Sequence, residues 1–237
     1  MLIQLCELCL FYKNLIEKSL RTLRLKITGS TKKLMFVHNI QILNLNLNKD
    51  FYEMARTPSN MIPLGTIAPN FKLKDTNSNN VYSFEDVKGS KGTLVIFICN
   101  HCPFVHHALP EIIMIANDYR VQGIGVIAIS SNDVKKYPQD SPEMMTEFAF
   151  QNKIDFPYLF DESQEVAKAY DAACTPDFYL FDNLDRLFYR GQLDDSRPNN
   201  GIPLSGSDLR SAIDALIYNR SLKEEQKPSI GCSIKWK

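Results

Sequence analysis

Neither sign of charge is in excess: lysine plus arginine and aspartate plus glutamate each number 27 in 237 residues. That balance supplies no field to draw nucleic acid or an anionic membrane, so neither is expected as a partner. No apolar run approaches the roughly 18 residues that a membrane span needs. The basic segment that precedes the apolar core of a secretory signal is missing from Met1-Leu2-Ile3-Gln4-Leu5. Cysteine is sparse too. Cys6, Cys9, Cys99, Cys102, Cys174 and Cys232 are too few, in too long a chain, for a disulfide-stapled secreted scaffold. The expected setting is therefore a reducing, cytoplasmic compartment, where a CxxC pair points to redox or metal work rather than a structural bridge. No internal repeat is visible.

What is present divides at about residue 57. Upstream, Leu2, Leu5, Cys9, Tyr12, Ile16, Leu20 and Leu23 recur at helical spacing beside a basic face of Lys13, Lys18, Arg21 and Arg24. Leu43 to Asn48 then alternates with period two, a weak strand signal. Residues 1–57 read as an extension: a transit peptide to an organelle matrix or stroma, an interaction helix, or translated upstream sequence. Glu7, Glu17 and the scarcity of serine count against the first. Met54-Ala55-Arg56-Thr57-Pro58 resembles a natural start, and N-terminal sequencing that finds earlier residues would reject that reading. Cys6-Glu7-Leu8-Cys9 has the CxxC spacing without the strand, proline or histidine that would give it chemistry.

Residues 58–220 alternate between strand and helix patterns. Phe71–Leu73 and Val81–Ser83 flank a polar turn and predict a hairpin. Ser83 opens a short helix ended at Gly89. Thr93–Ile98 is a continuous apolar run, as expected of a strand buried on both faces. Val105, Leu109, Ile112, Ala116 and Tyr119 mark one face of a helix that Pro110 should kink. Gly125–Ser130 is a second buried strand, 132–142 a loop, Pro142–Asn152 a helix and Tyr158–Phe160 a short strand. A helix capped by Ser163, a hairpin of Phe178–Phe181 with Arg186–Tyr189, and an amphipathic helix Ser207–Tyr218 complete the order. Residues 221–237 form a tail expected to dock on the domain. The β-α-β units imply an α/β fold with a mostly parallel central sheet, to which the hairpin adds antiparallel strands at one side.

Chemistry concentrates at Cys99-Asn100-His101-Cys102-Pro103. A sulfur at a strand-to-helix junction feels the unpaired N–H groups of the helix start, which favours its thiolate. Cys99 is the sulfur expected to be accessible and to attack; Cys102, one turn on, resolves the mixed disulfide. His101, between them, would stabilise the thiolate as a cation. Pro103 suits the first helical turn, where its missing N–H is not needed. A competing metal reading joins Cys99, Cys102 and His106 on zinc or copper, but the adjacent His106 and His107 have the wrong spacing for a second shared ligand. Thr175-Pro176 lies ahead of a strand, and X-Pro bonds are the common sites of cis peptides.

Together, Cys99–Val105, Cys174–Asp182, Arg190–Pro198 and Pro228–Lys237 resemble the peroxiredoxin-like, AhpC/TSA-related branch of the thioredoxin family. The resemblance implies a thioredoxin-like fold: a central mixed β-sheet flanked by helices, with an added N-terminal β-hairpin. It implies a cis Thr175–Pro176 beside the sulfurs and a redox-active Cys99–Cys102 pair with no bound cofactor or metal. The implied partners are a protein or small-molecule disulfide and a thiol electron donor. Cys174, two residues before Pro176, is a candidate third sulfur; Cys232 is given no chemistry.

Two departures shape the expected function. A peroxiredoxin carries Pro-x-x-x-Thr-x-x-Cys, yet the matching places hold Ile96 and Gly92 before Cys99, and Cys99 and Val95 before Cys102. Thioredoxins carry tryptophan before the first cysteine and a buried acid on the preceding strand, where this chain has Ile98 and Thr93. The first departure argues against efficient peroxide chemistry and the second leaves no visible acid to move protons. The expectation is a thiol–disulfide oxidoreductase with an antioxidant or redox-homeostasis role. Its alternatives are a weak thiol-dependent peroxidase and a non-enzymatic metal-binding or redox-sensing module.

Overall fold

The strand that carries the cysteines is the middle of the molecule. In the computed structural model, which describes residues 56–222 and 225–237, β4 (Gly92–Phe97) is buried at every position. It pairs in parallel with β5 (Ile124–Ser130) and antiparallel with β8 (Asp177–Asp182). Residues two apart on a strand share a face, so Val95 and Phe97 join Ile127, Ile129, Tyr179 and Phe181 in one apolar cluster. Leu94, Ile96 and Ala128, on the alternate positions, are fully buried as well. A strand buried on both faces needs an unbroken apolar run, and the sequence supplies one.

Seven strands make this sheet, in the order β3-β2-β6-β5-β4-β8-β9. The outer members are β2 (Lys72–Asp75), β3 (Val81–Ser83), β6 (Tyr158–Phe160) and β9 (Leu187–Gly191). β4, β5 and β6 are parallel, while the hairpins β2–β3 and β8–β9 supply antiparallel strands on either side. The mixed sheet and its added N-terminal hairpin are those expected, but the sheet is not mostly parallel: antiparallel strands flank the parallel β6-β5-β4 on both sides, because the N-terminal hairpin joins at β6 and the closing hairpin at β4.

The longest helix, α2 (Pro103–Arg120), follows α1 (Phe84–Val87) in the chain and packs on β5. It buries Phe104, Leu109, Ile112, Ile115 and Tyr119. Each such large side chain contributes about 1.5–3 kcal/mol when withdrawn from water. The helix continues through Pro110, at an exposed position. The remaining helices are α3 (Pro142–Asn152), α4 (Glu165–Ala169) and α5 (Ser207–Ile217). Met145, Phe148 and Ala149 of α3 face inward, as their spacing predicts.

Two local readings need correction. Ser163 is not the cap of α4: Gln164, with φ of 66°, holds that position, while the Ser163 hydroxyl accepts from the Glu165 N–H at 3.2 Å. The stretch 132–142 is not all loop, since Pro138–Asp140 forms a 3₁₀ turn. That turn proves central to the site. The readings on residues 1–55, including Cys6 and Cys9, lie outside the described residues. Among the described residues no helix is long and apolar enough to cross a membrane.

A second sheet stands beside the first, in the order β1-β10-β7. Its strands are β1 (Arg56–Pro58), β7 (Cys174–Thr175) and β10 (Ile230–Ser233), and the tail strand β10 runs antiparallel to both neighbours. Cys232 is thereby opposite both Arg56 and Thr175.

Candidate active site

Past Phe97 the chain makes one more ladder bond, from the Ile98 N–H to the Ile129 carbonyl at 2.9 Å, and then turns. Cys102 takes the N-cap position of α2 with extended backbone angles, and Pro103 occupies the first turn. This is the strand-to-helix junction that the sequence predicts for the pair. The Thr175–Pro176 peptide is cis. It meets both sulfurs: Cys99 Sγ and Thr175 Oγ1 share a hydrogen bond of 3.4 Å, and the Cys102 thiol donates to the Thr175 carbonyl at 3.1 Å. Cys99, Cys102, Thr175 and Pro176 thus come together from two distant segments.

Cys99 is not the open sulfur its position suggests. It is 1 % exposed and Cys102 0 %; Thr175 contacts both sulfurs, and the 3₁₀ turn is bonded to the neighbouring Asn100. Burial pushes the Cys99 thiol well up, reinforced by Cys102 and by the negative charge of Asp140, while the Thr175 hydroxyl counteracts. Burial opposes ionisation of Cys102 as well, but hydrogen-bonding contact with Cys232, Cys99 and Thr175 outweighs it and holds that sulfur well below the usual thiol range.

The expectation that no acid serves the pair is overturned by Asp140. This fully buried carboxylate on the 3₁₀ turn accepts from the Asn100 N–H at 2.8 Å and the Asn132 amide at 2.8 Å, and sits 2.6 Å from His101 Nδ1. His101 stacks on Tyr137, with ring centroids 5.4 Å apart and planes inclined by 7°. A Cys99 sulfur, a His101 nitrogen and an Asp140 oxygen lie within 4.8 Å of one another. A proton leaving or reaching Cys99 therefore has an imidazole–carboxylate couple beside it. Asn100 extends the network, taking a hydrogen bond from the buried Tyr158 hydroxyl at 3.0 Å and giving one to the Gln139 carbonyl at 3.0 Å. Burial pushes the Tyr158 phenol well up, so it remains a donor.

Other sequence candidates are placed elsewhere. His106 is exposed, with its ring edge-on to Phe148, and His107 bonds Ser196 at 2.8 Å; neither joins the sulfurs. A soft thiolate, an imidazole and a carboxylate are a reasonable donor set for zinc or copper. Yet the set brought together is Cys99, His101 and Asp140 rather than Cys99, Cys102 and His106, and both Asp140 oxygens already accept hydrogen bonds. Cys174 is fully buried, its thiol 3.8 Å from the Pro176 carbonyl oxygen, and burial pushes it far above the usual thiol range. Cys232, to which the sequence reading gave no chemistry, lies opposite Thr175 in the β10–β7 ladder, and its thiol favours ionisation of Cys102.

Beneath Pro176 lies a buried ion pair. Arg190 and Asp177 have fully buried side chains, with Nη2 to Oδ2 at 2.9 Å, and the guanidinium also lies 3.9 Å over the Tyr179 ring. Asp177 pairs in register with Phe97, so the ion pair sits where the strand bearing Cys99 meets the strand following Pro176.

The AhpC/TSA family model matches residues 64–189. The chain belongs to the AhpC/TSA family. A crystal structure of an uncharacterized conserved protein from Geobacillus kaustophilus is 58% identical, covering 77% of this chain and 96% of that one with a TM-score of 0.76. The thiol-disulfide oxidoreductase ResA of Bacillus subtilis is 24% identical over 63% of this chain and 79% of its own length. The thioredoxin domain of thiol-disulfide oxidoreductase BVU-2223 from Bacteroides vulgatus, 18% identical, shares the fold with a TM-score of 0.53 over 66% of this chain and 99% of that one. The fold is thioredoxin-like, and this AhpC/TSA protein is a thioredoxin-like oxidoreductase.

Proposed function

We propose that this protein exchanges thiols and disulfides through a Cys99–Cys102 cycle, with no bound cofactor. The observation that carries the reading is the meeting of both sulfurs at one residue, Thr175, through its hydroxyl and its carbonyl. Cys99, once deprotonated, attacks a disulfide substrate; a bond forms to Cys99 Sγ and the substrate's other sulfur leaves as a thiolate. The Cys102 thiolate then attacks Cys99 Sγ, the Cys99–Cys102 disulfide forms, and the second substrate sulfur departs with the electron pair. A thiol donor restores the dithiol by the reverse exchange. The His101–Asp140 couple takes and returns the Cys99 proton, and the low Cys102 thiolate suits its role as resolving nucleophile.

A shallow cleft lined by Phe104, His107, Pro176, Ser196 and Leu204 adjoins the site and offers an apolar seat for the substrate's flank. A role in redox homeostasis within a cytoplasmic compartment accords with the sparse cysteines, and fractionation that finds the protein in an exported fraction would reject that placement. Reduction of a model protein disulfide with a thiol donor tests the chemistry. Turnover should be lost in Cys99→Ser, and unchanged turnover there would reject the assignment.

One observation favours a second reading. Thr175 brings a hydroxyl to 3.4 Å from Cys99, supplying from afar the group whose absence upstream of the cysteine argued against peroxide reduction. Stopped-flow mixing with hydrogen peroxide separates the two activities, since thiol–disulfide exchange leaves peroxide intact.

A further inference from the structure

A third cysteine, Cys232, is carried to this site by the tail. The tail strand β10 lies directly on the Thr175–Pro176 peptide, and one glycine permits that approach. A methyl group added to Gly231 would fall 1.9 Å from the Thr175 oxygen and 3.2 Å from the Pro176 nitrogen. The next residue, Cys232, is then held opposite Thr175 in the β10–β7 ladder, the same residue whose carbonyl accepts from the Cys102 thiol at 3.1 Å.

The tail is anchored on both sides of this contact. The Ser229 hydroxyl donates to the Pro176 carbonyl at 2.7 Å, and the Ser229 N–H donates to the Ser59 hydroxyl at 2.9 Å. Beyond the cysteine, the Ile234 N–H reaches the Ala173 carbonyl at 3.1 Å, and the Lys235 N–H reaches Asn132 Oδ1 at 2.8 Å. Asn132 is itself a ligand of Asp140, so the tail and the acid are held by one side chain. Of the three cysteines Cys232 keeps the most exposure, 8 % against 1 % and 0 %.

We propose that Cys232 is a third redox thiol, which attacks Cys102 in the Cys99–Cys102 disulfide to give a Cys102–Cys232 disulfide and free Cys99. The proposal rests on the dithiol reading above. The Cys232 thiolate forms the new S–S bond to Cys102 Sγ, and the Cys99–Cys102 bond breaks. The electron pair leaves on Cys99 Sγ, which takes up a proton equivalent to the one Cys232 released. One disulfide replaces another, so no outside oxidant or reductant is consumed. Cys99 is returned to the thiol form while the chain still holds one oxidising equivalent.

The electrostatics support a redox-gated step. In the dithiol state, contact with Cys102 is the first cause holding the Cys232 proton in place, with burial second. Forming the Cys99–Cys102 disulfide takes Cys102 out of its thiol or thiolate form and removes that restraint. Lys235, which favours the Cys232 thiolate, stays. The leaving Cys99 sulfur meets the His101–Asp140 couple within 4.8 Å.

The test uses the full chain, fully reduced and then oxidised with a glutathione-disulfide buffer, acid-quenched, alkylated and mapped by peptide mass spectrometry without reduction. Wild type should give the Cys99–Cys102 disulfide together with a species linking Cys102 to Cys232. Cys99→Ala should lose two thiols per chain and yield the Cys102–Cys232 link alone, with a Cys174→Ala background making no difference. In singly oxidised wild type, Cys99 should label with maleimide, and Cys232→Ser should reduce that labelling to the level of buried Cys174. If Cys99→Ala keeps both thiols, or pairs them only with glutathione, while wild type forms Cys99–Cys102, the third thiol is refuted and the dithiol reading survives. Were Cys99→Ala to misfold, the Cys232→Ser labelling decides alone, and unchanged labelling overturns the proposal. Absence of any Cys99–Cys102 disulfide in wild type would instead reject the dithiol reading.

Discussion

Replacing Arg190 with methionine is the sharpest test of how the site is held. Arg190 and Asp177 are both fully buried, so the variant leaves a carboxylate in the interior with the Ala173 N–H at 3.3 Å, the Tyr179 hydroxyl at 3.4 Å and the Cys174 backbone, all neutral groups, to solvate it. Breaking a buried pair by deleting one partner costs about 3–5 kcal/mol. The guanidinium's place over Tyr179 adds to the loss, by up to about 2 kcal/mol where water is excluded. For a urea dependence of about 2 kcal/mol per M, a loss of about 4 kcal/mol moves the unfolding midpoint down by about 2 M.

The loss should also depend on pH in a defined sense. Burial, the first cause, raises the Asp177 carboxyl above its ordinary value of 3.8, and Arg190 opposes that rise. Removing Arg190 raises it further. A group with a raised folded-state value holds its proton more tightly when folded, so its contribution is complete below 3.8 and fades as pH climbs through the raised value. The penalty of Arg190→Met should thus shrink on acidification. The double variant with Asp177→Asn should recover stability at neutral pH, because no charge is left unpaired. Urea unfolding of wild type and the two variants at neutral and mildly acidic pH reads all of this. A midpoint shift below about 0.5 M for the single variant, or a double variant no more stable than the single, would refute the reasoning.

Two further perturbations address the sulfurs. Gly231→Ala places a methyl group 1.9 Å from the Thr175 oxygen; overpacking of this kind costs about 1–3 kcal/mol, and lifting of the tail should speed maleimide labelling of Cys102. Labelling at the wild-type rate would show that the tail docks without that close approach. Asp140→Asn removes a negative charge that raises Cys99, so alkylation of Cys99 followed against pH should shift to lower pH. No shift, or one upward, would sink the role given to Asp140.

How far the sequence could carry these conclusions follows from the range of each contact. The Cys99–Cys102 pair, its apolar strand and its proline-led helix are contiguous, and local rules of burial and capping suffice to place them. The two hairpins and the mixed sheet are legible for the same reason, since each strand declares itself in a few residues. Asp140 is different. Its hydrogen bonds to Asn100 and His101 span 40 and 39 positions, and nothing in Tyr137-Pro138-Gln139-Asp140 announces a partner. The only available hint was that a proline-bearing turn precedes a helix capped by Ser141.

Cys232 is harder still, because it reaches the site through a tail whose composition reads as peripheral. The legible clue was the dipeptide Gly231-Cys232. A glycine within a strand marks close approach of another backbone, and a cysteine immediately after it inherits the position. That rule would have predicted contact without naming Thr175 as what is approached. Once the ladder fixes Cys232 opposite Thr175, and Thr175 already holds both Cys99 and Cys102, one residue is shared by all three sulfurs. Any change that moves Thr175 should therefore alter all three thiols together, whereas a change confined to the His101–Asp140 side should act on Cys99 first.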